Sequence, residues 1–310
     1  MNQNQYNWQI QALGTHWQFL VWQVDFKNLT LVELQTHSEQ TIQNFEQKYS
    51  RFRPNSLVSQ LNSKRSLINP DLEILQMLEL GEKLKDASGG YFDLCVGQDL
   101  IKIGYGHIKI DSQNSIKKNV KDQTSSNFHN NSHIKFGAKQ VLLKNSYHLD
   151  LGGIGKGFLV DKLAKQFKDL GFASFLINGG GDVFASNQGN DQSVECLLEN
   201  PFDSSEAIGR IMIKETAIAS SSSNRRQWDV GNQTKHHLIN PFTGDSKVTT
   251  ILAVYTQAKN CTHADLGSTA IFVSPPEFWA KIQVLLNLEF LVVFQDGSYQ
   301  RSQAYSGQLF

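Results

Sequence analysis

Four glycines fall within the eight residues Asp150-Leu-Gly-Gly-Ile-Gly-Lys-Gly157, and no other stretch restricts the chain as much. Glycine at this density marks backbone that must turn tightly or lie close against another segment. Before the turn, Tyr147 to Leu151 reads as a strand. After it, Val160, Leu163, Ala164 and Phe167 recur on one helical face until Gly171 ends the run. Phe172 to Ile177 then reads as an apolar strand entering Asn178-Gly-Gly-Gly-Asp182. Strand, turn, helix and strand predict an α/β unit.

A turn from strand into helix offers backbone N–H groups and a helix N-terminus to phosphate oxygens, and Lys156 adds a positive charge. The spacing matches no standard phosphate loop. A Walker A sequence needs Ser or Thr after its Lys, where Gly157 stands, and Gly153, Gly155 and Gly157 give GxGxG rather than the Rossmann GxGxxG. A tight structural turn is the alternative reading.

Thr262-His-Ala-Asp265-Leu-Gly-Ser268-Thr269 precedes the apolar run Ala270 to Val273, and a helix here puts Asp265 and Thr269 on one face. One carboxylate and one hydroxyl suit Mg²⁺, which completes its octahedron with neutral oxygens, water and phosphate. Thr262 and Asp265 also satisfy a capping box, whose role is only to start a helix. In Lys235-His236-His237-Leu-Ile-Asn240-Pro241 an imidazole lies near a turn and offers a general base, or is merely a surface histidine. Arg51-Phe-Arg-Pro-Asn-Ser56 mixes cations with a ring. Ala217-Ile-Ala-Ser-Ser-Ser-Ser223 offers hydroxyls or a flexible loop.

Elsewhere, Trp8, Ile10 and Ala12 alternate with polar residues, as do Trp17, Phe19 and Val21 after Gly14-Thr15, which predicts a β-hairpin. Leu31 to Tyr49 reads as a helix. A second helix starts at Asn69-Pro70, carries Ile74, Leu75, Leu78 and Leu84, and stops at Gly89-Gly90. The stretch from about 111 to 133 is polar and reads as a solvated loop inside a single domain spanning 1–310.

With 40% hydrophobic and 19% charged residues, the chain is ordinary for a globular protein. Lys plus Arg equals Asp plus Glu at 29 each, so no global field draws it to nucleic acid or an anionic membrane, and any anion must be held locally. Cys95, Cys196 and Cys261 show neither a disulfide framework nor zinc spacing. Neither a secretory signal nor a membrane span is visible, which leads to the expectation of a cytoplasmic protein.

Taken in order, these segments resemble the FAD:protein FMN transferase family, also called ApbE-type flavin transferases. The resemblance is carried by Ala12-Leu-Gly-Thr15, Ser50 to Ser56, Gly90-Tyr-Phe-Asp93, Asp150 to Gly157, Asn178 to Asp182, His237 to Pro241 with Gly244, and Asp265 to Thr269. It implies an α+β fold with antiparallel or mixed sheets and packed helices, of T-fold-like architecture. The activity it implies is Mg²⁺-dependent transfer of FMN from FAD to a Thr or Ser hydroxyl of an acceptor flavoprotein, releasing AMP. An FAD pyrophosphatase giving FMN and AMP, and a non-catalytic FAD-binding protein, are the alternatives.

Carried over by position, Asp265, Thr269, Ser268 and the Gly153 carbonyl are implied as metal ligands. Leu13, Phe52, Tyr91, Phe92, Asp93, Asp150, Lys156 and Leu238 are implied as flavin contacts, and His237 as the base. Two departures stand out. Asn240 replaces the usual Asp, and Ser220-Ser221-Ser222 replaces a common Thr-Ser-Gly whose glycine allows positive φ. Family members are usually exported, often as lipoproteins. A leader removed from this sequence would make the protein periplasmic or membrane-anchored.

Overall fold

The alternation at the N-terminus does produce a hairpin. In the computed structural model, which describes residues 5–22, 30–106, 132–187 and 193–310, β1 (Gln5–Ala12) pairs antiparallel with β2 (Thr15–Trp22). Leu13 and Gly14 make the turn with φ of 51° and 68°, the left-handed conformation that a two-residue hairpin loop needs. Trp17, Phe19 and Val21 are fully buried, and Trp8 stacks on Phe19 with ring centroids 4.9 Å apart.

That hairpin is one edge of an eight-stranded sheet. Its further strands are β3 (Ser174–Gly179), β4 (Val183–Asn187), β5 (Thr216–Ser222), β6 (Ile251–Ala258), β7 (Leu288–Phe294) and β8 (Tyr299–Arg301). They lie side by side in chain order, and every pairing is antiparallel. Alternation along the strands gives the sheet two apolar faces. Phe19, Ile177, Ala219 and Val254 join the main core beneath the helices. Val183, Ile218, Ala253 and Tyr255 face a smaller core shared with strands Val194–Glu199 and Ala207–Ile213.

The helices on the main core are α1 (Leu31–Tyr49), α2 (Leu57–Lys64), α3 (Leu72–Ala87), α4 (Gly155–Asp169), α5 (Cys261–Val273) and α6 (Trp279–Leu286). Thr30 and Glu33 form a capping box at the start of α1. The α+β class with antiparallel sheets is therefore as the resemblance implies. Among the described residues, no helix is long and apolar enough to cross a membrane.

Four expectations change. Tyr147 to Leu151 is not a strand: its backbone bonds the Leu94–Gly97 segment, through Asp150 N–H to Leu94 O at 2.8 Å and Gly97 N–H to His148 O at 2.8 Å. The expected α/β unit therefore loses its first strand: among the described residues α4 is entered from an irregular segment and leads into β3, which is antiparallel to both neighbours. The second helix begins two residues later than Asn69-Pro70, because the Asp71 side chain accepts from Ile74 N–H and caps it. The Ser220–Ser222 run is part of β5 rather than a loop, and none of its residues has positive φ, so the lost glycine costs nothing. The polar stretch falls outside the described residues except at its end, where Ser132 and His133 lead into strand Ile134–Gly137.

Why residue 157 is glycine becomes clear where α4 crosses α5. A Cβ on Gly157 would lie 2.5 Å from Cys261 O and 2.8 Å from Asp265 Cβ. A Walker-type Ser or Thr cannot be accommodated there without separating the helices. Gly157→Ala is expected to lower stability by about 1–3 kcal/mol or more through overpacking, measured by denaturant melting. An unchanged midpoint would mean that the two helices can part freely.

Candidate active site

The crossing of α4 and α5 sets the centre of the site. The start of α5 is held from outside: Asp161 on α4 accepts from Cys261 N–H at 2.7 Å and Thr262 N–H at 2.8 Å, and Asn260 accepts from His263 N–H at 2.8 Å. Thr262 and Asp265 therefore do not form the capping box, and Asp265 is free for another role. Its Oδ2 accepts from Gly157 N–H at 3.0 Å, while its Oδ1 lies 3.7 Å from Lys156 Nζ.

Lys156 is paired with Asp182, at the end of the Asn178-Gly-Gly-Gly-Asp182 turn. Burial and the neighbouring Asp265 carboxylate push the Asp182 carboxyl up to about 7, whereas Asp182 and Asp265 hold the Lys156 ammonium firmly charged. The lysine thus first neutralises protein carboxylates. Lys156→Ala is expected to cost about 3–5 kcal/mol, because it strands buried acids together. Adding Asp182→Asn should recover part of that loss in melting experiments, and a single variant as stable as the parent would dismiss the pair.

The glycine-rich turn does not cradle an anion with its own amides in the way its spacing invites. Gly152 N–H donates to Asp150 Oδ1 at 2.6 Å, Ile154 and Gly155 N–H donate to Leu151 O at 3.1 and 2.7 Å, and Gly157 N–H is taken by Asp265. The turn's role is to lay Gly153 against the site. A Cβ there would stand 3.6 Å from the Thr269 methyl and 3.4 Å from the Phe92 ring. Ser221 on β5 bonds Ser268 Oγ at 2.8 Å and Thr269 Oγ1 at 3.3 Å, and Ser268 also donates to Asp265 O at 3.0 Å. Ser268, fully buried, braces the helix, while Thr269 and Asp265 face the cavity.

That cavity, about 960 Å³, runs between the helices and the two sheets. Tyr91, Phe92, Asp93, Asp150, Gly153, Lys156, His237, Leu238, Asp265 and Thr269 all line it; these are ten of the residues singled out from sequence. Leu13, Phe52 and Ser268 stand outside its wall. Phe52 is 50% exposed and lies under the Arg51 guanidinium, 4.2 Å from its ring centroid. Arg51 in turn pairs with Asp150.

His237 sits beside Tyr105, ring centroids 6.3 Å apart, and its buried Nδ1 has no partner among the described residues. Desolvation, then the charges of Arg226, His236 and Lys156, push it down to about 3, so its imidazole is neutral at physiological pH. His236 instead holds the loop, with Nε2 donating to Lys247 O at 3.2 Å and Nδ1 accepting from Leu238 N–H at 3.3 Å. Asn240 keeps the local role of an Asp. Its Oδ1 accepts from Phe242 N–H at 3.1 Å and its O from Gly244 N–H at 2.9 Å.

Asp93 is bound on its far side. Its Oδ2 meets Lys85 Nζ at 3.0 Å and His133 Nδ1 at 2.9 Å, and its Oδ1 accepts from Cys95 N–H at 2.8 Å. Asp93, Cys95 and His133 have metal-type ligand atoms within 4.8 Å of one another, a grouping that chain spacing did not reveal. Lys85 already supplies its counter-cation, and the hard oxygens of Asp265 and Thr269 suit Mg²⁺ better than this mixed set.

The sequence profile of the ApbE family matches residues 13–292, nearly the whole chain. The chain belongs to the ApbE family. Among ApbE-type relatives, the FAD:protein FMN transferase of Buchnera aphidicola (subsp. Schizaphis graminum) is 24% identical over 273 residues, covering 84% of this chain and 78% of its own. The FAD:protein FMN transferase of Escherichia coli (strain K12) is also 24% identical, over 91% of this chain and 81% of its own. The crystal structure of the ApbE protein from Thermotoga maritima superposes with a TM-score of 0.79 over 97% of both chains at 23% identity. The flavin transferase ApbE from Vibrio cholerae does so with a TM-score of 0.74 over 97% of both at 18% identity. These likenesses establish the fold.

In this ApbE-family chain nothing local in the sequence points to Asp161 or Arg226, and Ser221 stands out only as part of a serine run. Asp161 works across about a hundred residues, and no local pattern points to it. Ser221 was one hydroxyl among four, and only β5 pairing shows which one faces α5.

Proposed function

We propose that this chain is an FAD:protein FMN transferase that moves FMN from FAD to a Thr or Ser hydroxyl of an acceptor flavoprotein and releases AMP. One observation carries the reading: an oxygen-donor pair, Asp265 and Thr269, and a neutral imidazole, His237, open onto a single cavity large enough for a dinucleotide. The names of the curated relatives support it.

Asp265 and Thr269, with the Gly153 carbonyl, are the groups that would hold Mg²⁺. That donor set fits, because it offers only hard oxygens and Asp265 keeps one carboxylate oxygen free of any N–H bond closer than Lys156 at 3.7 Å. When bound, the ion supplies charge neutralisation at the phosphoryl oxygens. Lys156 fixes the Asp265 carboxylate by its charge, and Gly157 N–H fixes it by a hydrogen bond. Tyr91, Phe92 and Leu238 give the flavin apolar and aromatic surface. His237 takes the proton from the incoming hydroxyl at a nitrogen that is unprotonated at pH 7. Attack on phosphorus forms the new O–P bond and breaks the link to the AMP oxygen.

The test is mass spectrometry of candidate flavoproteins incubated with FAD, Mg²⁺ and this protein. Gain of one FMN on a Thr or Ser peptide, with AMP in solution, is the expected result. FMN and AMP without a modified acceptor would instead identify a pyrophosphatase, and retained FAD without turnover a binding protein.

A further inference from the structure

A pyrophosphate-bearing ligand needs a cation that is not already neutralised, and the cavity wall contains three strongly basic side chains: Lys156, Arg225 and Arg226. Lys156 is paired with Asp182 and lies near Asp265. Arg225 is paired with Glu199, Nε to Oε1 at 2.9 Å. Arg226 has no carboxylate partner among the described residues. Its one hydrogen bond there is a long one, Nη1 to the Tyr105 hydroxyl at 3.4 Å.

Backbone geometry places this free guanidinium at the reacting end. Strands Gln227–Val230 and Gln233–His236 pair antiparallel with Gln227 opposite His236. That pair closes the ladder, so Arg226 and His237 are the next residue on each strand. Arg226 adopts φ of 49°, a left-handed conformation unusual for arginine, which turns the chain from β5 into this hairpin. Tyr105 lies between the two side chains, bonded to Arg226 and stacked on His237. The amides of the glycine-rich turn, the other candidate anion donors, are largely spent within the protein.

We propose that Arg226 is the anion-binding residue of this cavity and takes phosphate oxygens of a pyrophosphate-linked dinucleotide beside His237. The assignment rests on the functional reading above. Its planar fork suits two phosphate oxygens at once, and its exposure leaves it free to swing onto the ligand.

The test compares the parent protein with Arg226→Gln and Arg226→Lys in flavin-fluorescence titrations with FAD and riboflavin, and in competition by ADP. Arg226→Gln should weaken FAD and ADP about 10- to 100-fold, the scale of a lost charge-assisted bond, and shift riboflavin by less than about 3-fold. Arg226→Lys should recover part of that loss, since an ammonium keeps the charge without the fork. Equal weakening of all three ligands, no weakening, or a lysine variant no better than glutamine would overturn the assignment. Arg226 is exposed, and melting curves will show whether each variant keeps the parent fold. A parent protein that binds neither FAD nor ADP would overturn the functional reading, and this proposal with it.

Discussion

Asp265→Asn is expected to lower FMN transfer by about 10² to 10³ fold or more, while the protein stays folded. The amide keeps one oxygen for Gly157 N–H, so the contact between α4 and α5 survives. What disappears is the negative charge that Lys156 faces and that a divalent cation would require. Loss of a mere helix cap would give the opposite pattern, about 0.5–2 kcal/mol of stability with turnover intact. The structure already assigns the capping to Asn260 and Asp161. Removing this charge should also let Asp182 ionise more easily, because Asp265 is one of the two causes that raise it. Single-turnover rates across a Mg²⁺ titration, with melting in parallel, separate these effects. Full turnover in a destabilised variant would remove Asp265 from the metal site.

Most of what was legible in the sequence was local. The hairpin follows from period-two alternation around Leu13-Gly14, α1 from helical spacing without Gly or Pro, and α4 from helical spacing and its stop at Gly171. Asp265 and Thr269 share a helix face because they are four residues apart, whatever the rest of the chain does. Tyr147 to Leu151 shows where local reading fails. Its pattern suits a strand, but whether a strand exists depends on which backbone lies beside it, and here that is the Leu94–Gly97 segment.

Partner choice is the second thing sequence withholds. Lys156 reads as a phosphate ligand until Asp182, folded back by the three glycines before it, is seen against it. Gly157 reads as a failed Walker motif until Cys261 is seen to occupy the space of its side chain. In both cases the decisive contact joins residues separated by whole helices or strands, and the residue type alone fits two roles. The same holds for Arg226, whose significance appears only after the other cations are matched to carboxylates.

His237→Asn is expected to slow transfer by about 10² to 10⁴ fold with FAD affinity nearly unchanged, the range for a lost general base. Its pH behaviour gives the sharper check. Burial first, then Arg226, His236 and Lys156, hold the imidazole down to about 3. In the ligand-free protein this imidazole is therefore neutral throughout pH 6 to 9, and kcat/KM of the parent, which reports the free enzyme, should show no inflection near 6.5 from this residue. Linkage sets the sign for stability. The unfolded chain protonates this histidine near 6.5 and the folded one near 3, so the contribution is full above 6.5 and falls as pH drops from 6.5 towards 3. The slope is about 1.4 kcal/mol per pH unit in that window. His237→Asn should flatten the acid side of the stability curve as well as abolish fast transfer, because asparagine has no proton to refuse. His236→Asn supplies the contrast: its ring holds Lys247 O and Leu238 N–H, so stability should fall while the rate changes little. A His237→Asn protein with the parent rate would place the base elsewhere, with Asp265 the next group facing the cavity.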